Sequence, residues 1–143
     1  MYEALAAIGS VMLDPYLLML IFVTTIGGIV IGVLPGLGAT TGAALLLPFT
    51  LTMSPVHAIA VLATLYVSAT FAGSITAILI NTPGTSAAAA TTFDGFPLAQ
   101  RGEAGRALGI AVVASTIGGI FSIIVLCFAA PMLARVAYEF RPP

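Results

Sequence analysis

Long apolar runs dominate this chain, and proline, glycine and hydroxyl residues interrupt them rather than charges. The first run, Tyr16–Val33, reads "YLLMLIFVTTIGGIVIGV". A hydrocarbon core of ~30 Å takes about 20 apolar residues as a helix, so this run predicts a spanning helix. "LPGLG", Leu34–Gly38, stops it. Pro35 has no amide hydrogen and drives Leu34 out of helical geometry, while Gly36 and Gly38 permit positive φ. The next run, Thr40–Met53, is short for a span and contains Pro48, which suits a re-entrant or buried segment. Together these runs predict a re-entrant helical hairpin over about 16–53 with its tip at Pro35–Thr41.

The third run, Val56–Ile80, is long enough to span. Ser54 is its expected N-cap, with Pro55 at the first helical position. It meets "NTPG", Asn81–Gly84, and continues as the small, uncharged "TSAAAATTF", so about 56–97 reads as a broken helix. "DGFPLAQRGEAGR", Asp94–Arg106, reads as the first aqueous loop. The fourth run predicts a transmembrane helix over about 107–130, ended by Pro131, followed by a short amphipathic tail. "TIGGI" occurs at both Thr25–Ile29 and Thr116–Ile120, which reflects shared composition unless the similarity extends further.

Composition turns these runs into a class. The 143 residues are 60% hydrophobic and 6% charged, against about 25% charged in a soluble domain. No Asp, Glu, Lys or Arg stands between Pro15 and Phe93. Such a chain cannot cover a water-facing surface, and the expected class is an all-α, polytopic membrane protein in the lipid bilayer, with broken helices. A net charge of −1 leaves no nucleic-acid footprint. Cys127 reads as a small packing residue. The N-terminus lacks the basic region of a secretory signal peptide and is expected to stay on the mature protein. The abrupt "EFRPP" end suggests part of a longer chain. Arg101 and Arg106 before the fourth run balance Arg135 and Arg141 after it, so the positive-inside rule leaves orientation open, with the acidic N-terminus favouring an outside start.

Two stretches carry candidate chemistry. In "GVLPGLGATTG", Pro35, Gly36 and Gly38 break the backbone beside Thr40 and Thr41. Irregular backbone at membrane depth is tolerated only inside protein or beside a water-filled cavity. The amides opening the second segment would attract carboxylates; a tight surface turn is the alternative. In "NTPGTSAAAATT", Asn81, Thr82, Thr85 and Ser86 offer uncharged oxygens, while Pro83 and Gly84 turn the chain. Discontinuous helices of this kind build substrate and ion sites in secondary transporters; a loop with a capped following helix is the alternative. Asn81, Thr82 and Thr85 suit a Na⁺ ion. Asp94 reads as a loop-end aspartate rather than a proton carrier, and His57 as an interfacial histidine. Gly28 with Gly32, and Gly105 with Gly109, read as packing positions. One His, one Cys and scattered acids supply no metal ligand set, and no nucleophile–base pair points to an enzyme.

"GVLPGLGATTGAALLLPFT" and "ILINTPGTSAAAATTFDGFPLAQRGEAGRALG" resemble the large membrane subunit of the bacterial tripartite tricarboxylate transporters, over about Tyr16–Pro143. The resemblance implies the N-terminal part of a permease in the bacterial inner membrane. It implies a small membrane subunit and a periplasmic solute-binding protein as partners. Uptake of tricarboxylates or related carboxylates would be coupled to a Na⁺ or H⁺ gradient, with no other cofactor. It also implies one inverted repeat of an elevator-type carrier, whose half-site is formed by the Pro35–Thr41 tip and the Asn81–Ser86 break. A passive channel, a membrane-embedded enzyme and a purely structural subunit are the rival readings.

Overall fold

The computed structural model describes Gly9 and residues 13–139, the side chains of 135–139 excepted. The expectations for the N-terminal leader, the Arg135 and Arg141 side chains and the "EFRPP" end lie outside what is described. The elements are α1 (Pro15–Val33), α2 (Ala39–Thr50), α3 (Pro55–Ile80), a 3₁₀ turn (Ser86–Ala90), α4 (Thr91–Gln100) and α5 (Ala104–Glu139). No strand occurs among the described residues. Packing divides the chain into two units at Ala107–Leu108.

In the first unit, α1 and α3 run parallel. Asp14 pairs with His57, Gly28 meets Leu65 and Ser68, and Gly32 meets Ala69, so residue numbers rise together along both helices. A Cβ on Gly32 would strike the Ala69 backbone, with Ala69 Cα at 2.7 Å. The absent side chain is what lets the two helices approach so closely. The buried positions of α3 include Val61, Leu65, Ser68, Ala69, Ala72, Gly73, Thr76 and Ala77. Three- and four-residue steps place them on one face. Ser68 and Thr76 hydroxyls sit on this face by donating to carbonyls of their own helix, Thr64 at 2.7 Å and Gly73 at 3.1 Å, which satisfies them where water is scarce. The opposite surfaces carry exposed Phe22, Ile26, Val30 and Val67, as a lipid-facing surface requires.

The N-terminal ends of α1 and α3 are tied by a polar cluster. Asp14 caps α1 by accepting the Tyr16 amide at 2.9 Å. Ser54 caps α3 by accepting from the His57 amide at 3.5 Å. The Ser54 hydroxyl donates to His57 Nδ1, and His57 Nε2 donates to Asp14 Oδ2 at 3.2 Å. Tyr16 lies against the imidazole, with ring centroids 5.5 Å apart. His57 therefore joins the two helix caps. Loss of a cap and of a hydrogen bond each costs about 1 kcal/mol. Asp14→Ala, which removes both, is expected to lower the thermal midpoint more than His57→Ala. A circular-dichroism melt in detergent gives the order.

Residues 91–100 correct the expected loop. They form α4, with Asp94 in its first turn, where a carboxylate complements the helix dipole. Pro97 lies inside the helix, and Gly95 lies close to Ile78. The real connection is Arg101–Glu103. Gly102, at φ +82, donates to the Ala99 carbonyl, and Glu103 donates to that of Leu98, a glycine-closed helix end.

The second unit is the helix α5 from Leu108 onward. Pro131 does not end it, and the helix runs on to Glu139. Without competing water, a membrane helix keeps its remaining backbone bonds through a proline. Cys127 is exposed rather than packed. A Cβ on Gly105 or Gly109 would meet nothing within 4 Å, so the packing role expected of this pair finds no neighbour among the described residues.

Candidate functional site

The α1–α2 connection is a tight turn. Leu37 donates to the Leu34 carbonyl at 3.1 Å, with Pro35 second and Gly36 third at φ +90. That is the pattern of a type II turn, which needs a residue tolerant of positive φ in third place. Gly38 then caps α2 in extended geometry, with no side-chain hydrogen bond to the first-turn amides. Those amides have no partner within the helix. The carbonyl end of α1 and the amide end of α2 thus meet at one tip, with opposite partial charges side by side.

The second break starts at Asn81, the C-cap of α3, in left-handed geometry at φ 56. Asparagine is among the few side chains that adopt this conformation readily. Its amide donates to the Thr76 carbonyl, and that of Thr82 donates to the same oxygen at 3.4 Å. The chain therefore reverses and lies back along α3. The Gly84 amide donates to the Gly73 carbonyl at 3.3 Å. Gly84 is buried against Gly73 and the Gly32 carbonyl, so three glycines from three segments meet. Thr85 follows, over Gly73, and begins the 3₁₀ turn without a side-chain cap.

This reversal brings the two breaks together. Gly36, Gly38, Ala39 and Thr40 from the tip line a pocket of about 240 Å³ with Gly84, Thr85, Ser86 and Ala87 from the break. Tyr66 and Thr70 of α3 complete the lining. Small-molecule pockets start near 300 Å³, so this one is slightly smaller. Among the described residues, no charged side chain lines it. Amides and hydroxyls supply its polarity, and the Thr85 Oγ1 is buried with no hydrogen-bond partner among the described residues.

Of the candidates read from the sequence, Gly36, Gly38, Thr40, Gly84, Thr85 and Ser86 line the pocket. Pro35, Thr41, Asn81, Thr82 and Pro83 do not. Pro35 and Asn81 shape the two turns, and the Thr82 hydroxyl donates to the Ile80 carbonyl at 3.2 Å. Asn81, Thr82 and Thr85 are thus not gathered in one lining. Tyr66 and Thr70 lie outside both breaks in sequence and join the lining only through the fold. Their signal is a tyrosine and a threonine one turn apart, near the middle of a helix that also carries Thr64, Ser68, Ser74 and Thr76. Among the described residues, no group of three His, Cys, Asp or Glu side chains could hold a metal ion.

A family model described as the tripartite tricarboxylate transporter TctA family matches residues 18–143. The chain belongs to this family. It is a family of transporters, not of enzymes. Among the described residues, three helices are long and apolar enough to cross a membrane, and the chain is a polytopic membrane protein. It is 44% identical over 131 residues to an uncharacterized 52.8 kDa protein in the TAR-I ttuC' 3' region of Agrobacterium vitis. That similarity covers 92% of this chain, which spans 26% of the relative's length. No solved structure matches the chain.

Proposed function

We propose that this chain is part of the permease subunit of a secondary transporter that imports tricarboxylates or related carboxylates across the bacterial inner membrane. A periplasmic solute-binding protein delivers the substrate, and a small membrane subunit completes the assembly. The observation that carries this reading is the single pocket shared by two helix breaks about 45 residues apart in sequence. Paired breaks in apolar helices are the usual framework of carrier sites, and membership of a family described as tripartite tricarboxylate transporters supports a carboxylate as substrate. The uncapped amides of α2 favour a carboxylate. The neutral oxygens favour a co-bound Na⁺ over a proton, since among the described residues no carboxylate or imidazole lines the pocket. One inverted repeat of an elevator-type carrier would supply this half of the site, and the rest of the carrier the other half. A purely structural subunit has no use for a pocket shared by the two breaks.

Uptake of labelled citrate into proteoliposomes holding the complete complex tests the proposal, with and without the binding protein and under an imposed Na⁺ or H⁺ gradient. Saturable uptake that needs the binding protein and the Na⁺ gradient is expected. Flux that neither saturates nor follows a gradient would make the pocket part of a passive pore.

A further inference from the structure

Nine of the ten residues lining the pocket are Gly, Ala, Ser or Thr. Tyr66 is the exception, and it is the only lining side chain long enough to change the pocket's shape. Its position is unusual for its type. Tyrosines of membrane helices gather at the two interfaces, where the ring is apolar and the hydroxyl wet. Tyr66 is instead the twelfth residue of α3, roughly 17 Å from the helix start at 1.5 Å per residue, which is mid-depth for a ~30 Å core. It is 55% exposed, and among the described residues no side chain bonds its hydroxyl. A phenol at that depth needs a water-filled cavity, a ligand or another part of the carrier, because hydrocarbon offers it no partner, and the pocket that Tyr66 lines supplies the first two.

The neighbouring hydroxyl does not compete for the same role. Thr70 donates its proton to the Tyr66 carbonyl at 2.7 Å, which leaves Thr70 only lone pairs to present. Repulsion between those lone pairs and carboxylate oxygens leaves anion contact at this wall to the Tyr66 O–H.

We infer that Tyr66 is the specificity-determining residue of this pocket. Its ring sets the room available to a substrate, and its phenol donates a hydrogen bond to a substrate carboxylate. This rests on the pocket being the carboxylate site proposed above. Tyr66 then works by size on one side and by a charge-assisted bond on the other, which is how a site without fixed charge separates small carboxylates.

The test uses the intact complex in proteoliposomes, with labelled citrate, succinate and benzoate as probes. Tyr66→Phe keeps the ring and removes the donor. The KM for citrate is expected to rise about tenfold, with the maximal rate little changed, as fits loss of one hydrogen bond to a charged group. Tyr66→Ala is expected to shift the citrate-to-benzoate uptake ratio at least tenfold toward the ring-bearing probe. The side chain is half exposed, so neither change empties a core, and melting profiles check this. Wild-type KM and wild-type ratios in both variants would overturn the inference, as would a lower maximal rate with KM and ratios untouched. Thr85→Val, assayed in parallel, separates the two ideas. If it alone impairs uptake, the pocket stands and Tyr66 is only a wall. If it also transports normally, the site proposal itself falls.

Discussion

Replacing Gly84 with alanine is expected to lower the thermal midpoint of the protein by several degrees and to remove most uptake. The cause is what surrounds the missing side chain. A Cβ at Gly84 would land on the Gly32 carbonyl oxygen of α1, 2.9 Å from Gly73 Cα and 3.3 Å from Thr76 Oγ1 of α3. Two of these neighbours are backbone and cannot rotate away, so relief requires α1, α3 or the break to move. Overpacking of this kind costs about 1–3 kcal/mol, and rigid neighbours place Gly84 at the upper end. Any such shift also parts the two breaks and opens the pocket. Gly36→Ala is the comparison. Its added Cβ meets nothing within 4 Å, and only the φ of +90 resists, at about 1–2 kcal/mol. Gly38→Ala, in ordinary extended geometry with Thr40 Oγ1 at 3.9 Å, is expected to be close to neutral in stability. Circular-dichroism melts of the three purified variants give the order. A Gly84→Ala protein as stable as Gly38→Ala would mean that the three-glycine contact is not tight.

These variants also mark what the chain's sequence discloses. The apolar runs are legible because an unbroken apolar segment of this length satisfies its backbone in a bilayer as a helix, so length and hydropathy nearly determine α1, α3 and α5. The two breaks are legible too, since Pro35, Gly36, Asn81 and Gly84 have few other uses in an apolar segment. Which residues of each break face the other is not legible. That depends on the left-handed turn at Asn81, which folds the chain back so that residues 84–87, not 81–83, reach the tip. No local pattern announces a reversal that is completed only by bonds to Thr76 and Gly73. Pro131 misleads for a related reason. Proline breaks helices where water can take the freed carbonyl, and at Pro131 the helix runs on. Tyr66 and Thr70 look like ordinary interior residues until the tip and the break are seen beside them.

Thr85→Val separates stability from function by sign. The Thr85 Oγ1 is buried and has no hydrogen-bond partner among the described residues. An unpaired buried hydroxyl costs about 1–3 kcal/mol, and valine keeps the shape of threonine while removing that cost. If the hydroxyl is held ready for a substrate or a Na⁺ ion, the variant is expected to melt at the same temperature or a few degrees higher, yet to lose saturable uptake at least tenfold. Functional sites commonly carry destabilising groups in this way, and their removal stabilises the protein as it disables the site. If the hydroxyl served the fold through a bond to another part of the carrier, the variant would melt lower, and its uptake would fall only with the amount of folded protein. Thr41→Val supplies the control. Thr41 lies one position beyond the pocket lining, on the exposed side of α2, and its loss is expected to leave both melting and uptake unchanged. A stabilised but inactive Thr85→Val beside an active Thr41→Val would tie transport to one oxygen atom at the meeting point of the two breaks. A Thr85→Val protein that is stabilised and fully active would show that the orphan hydroxyl is a tolerated defect. The ligand site would then have to be sought among the α2 amides and Tyr66.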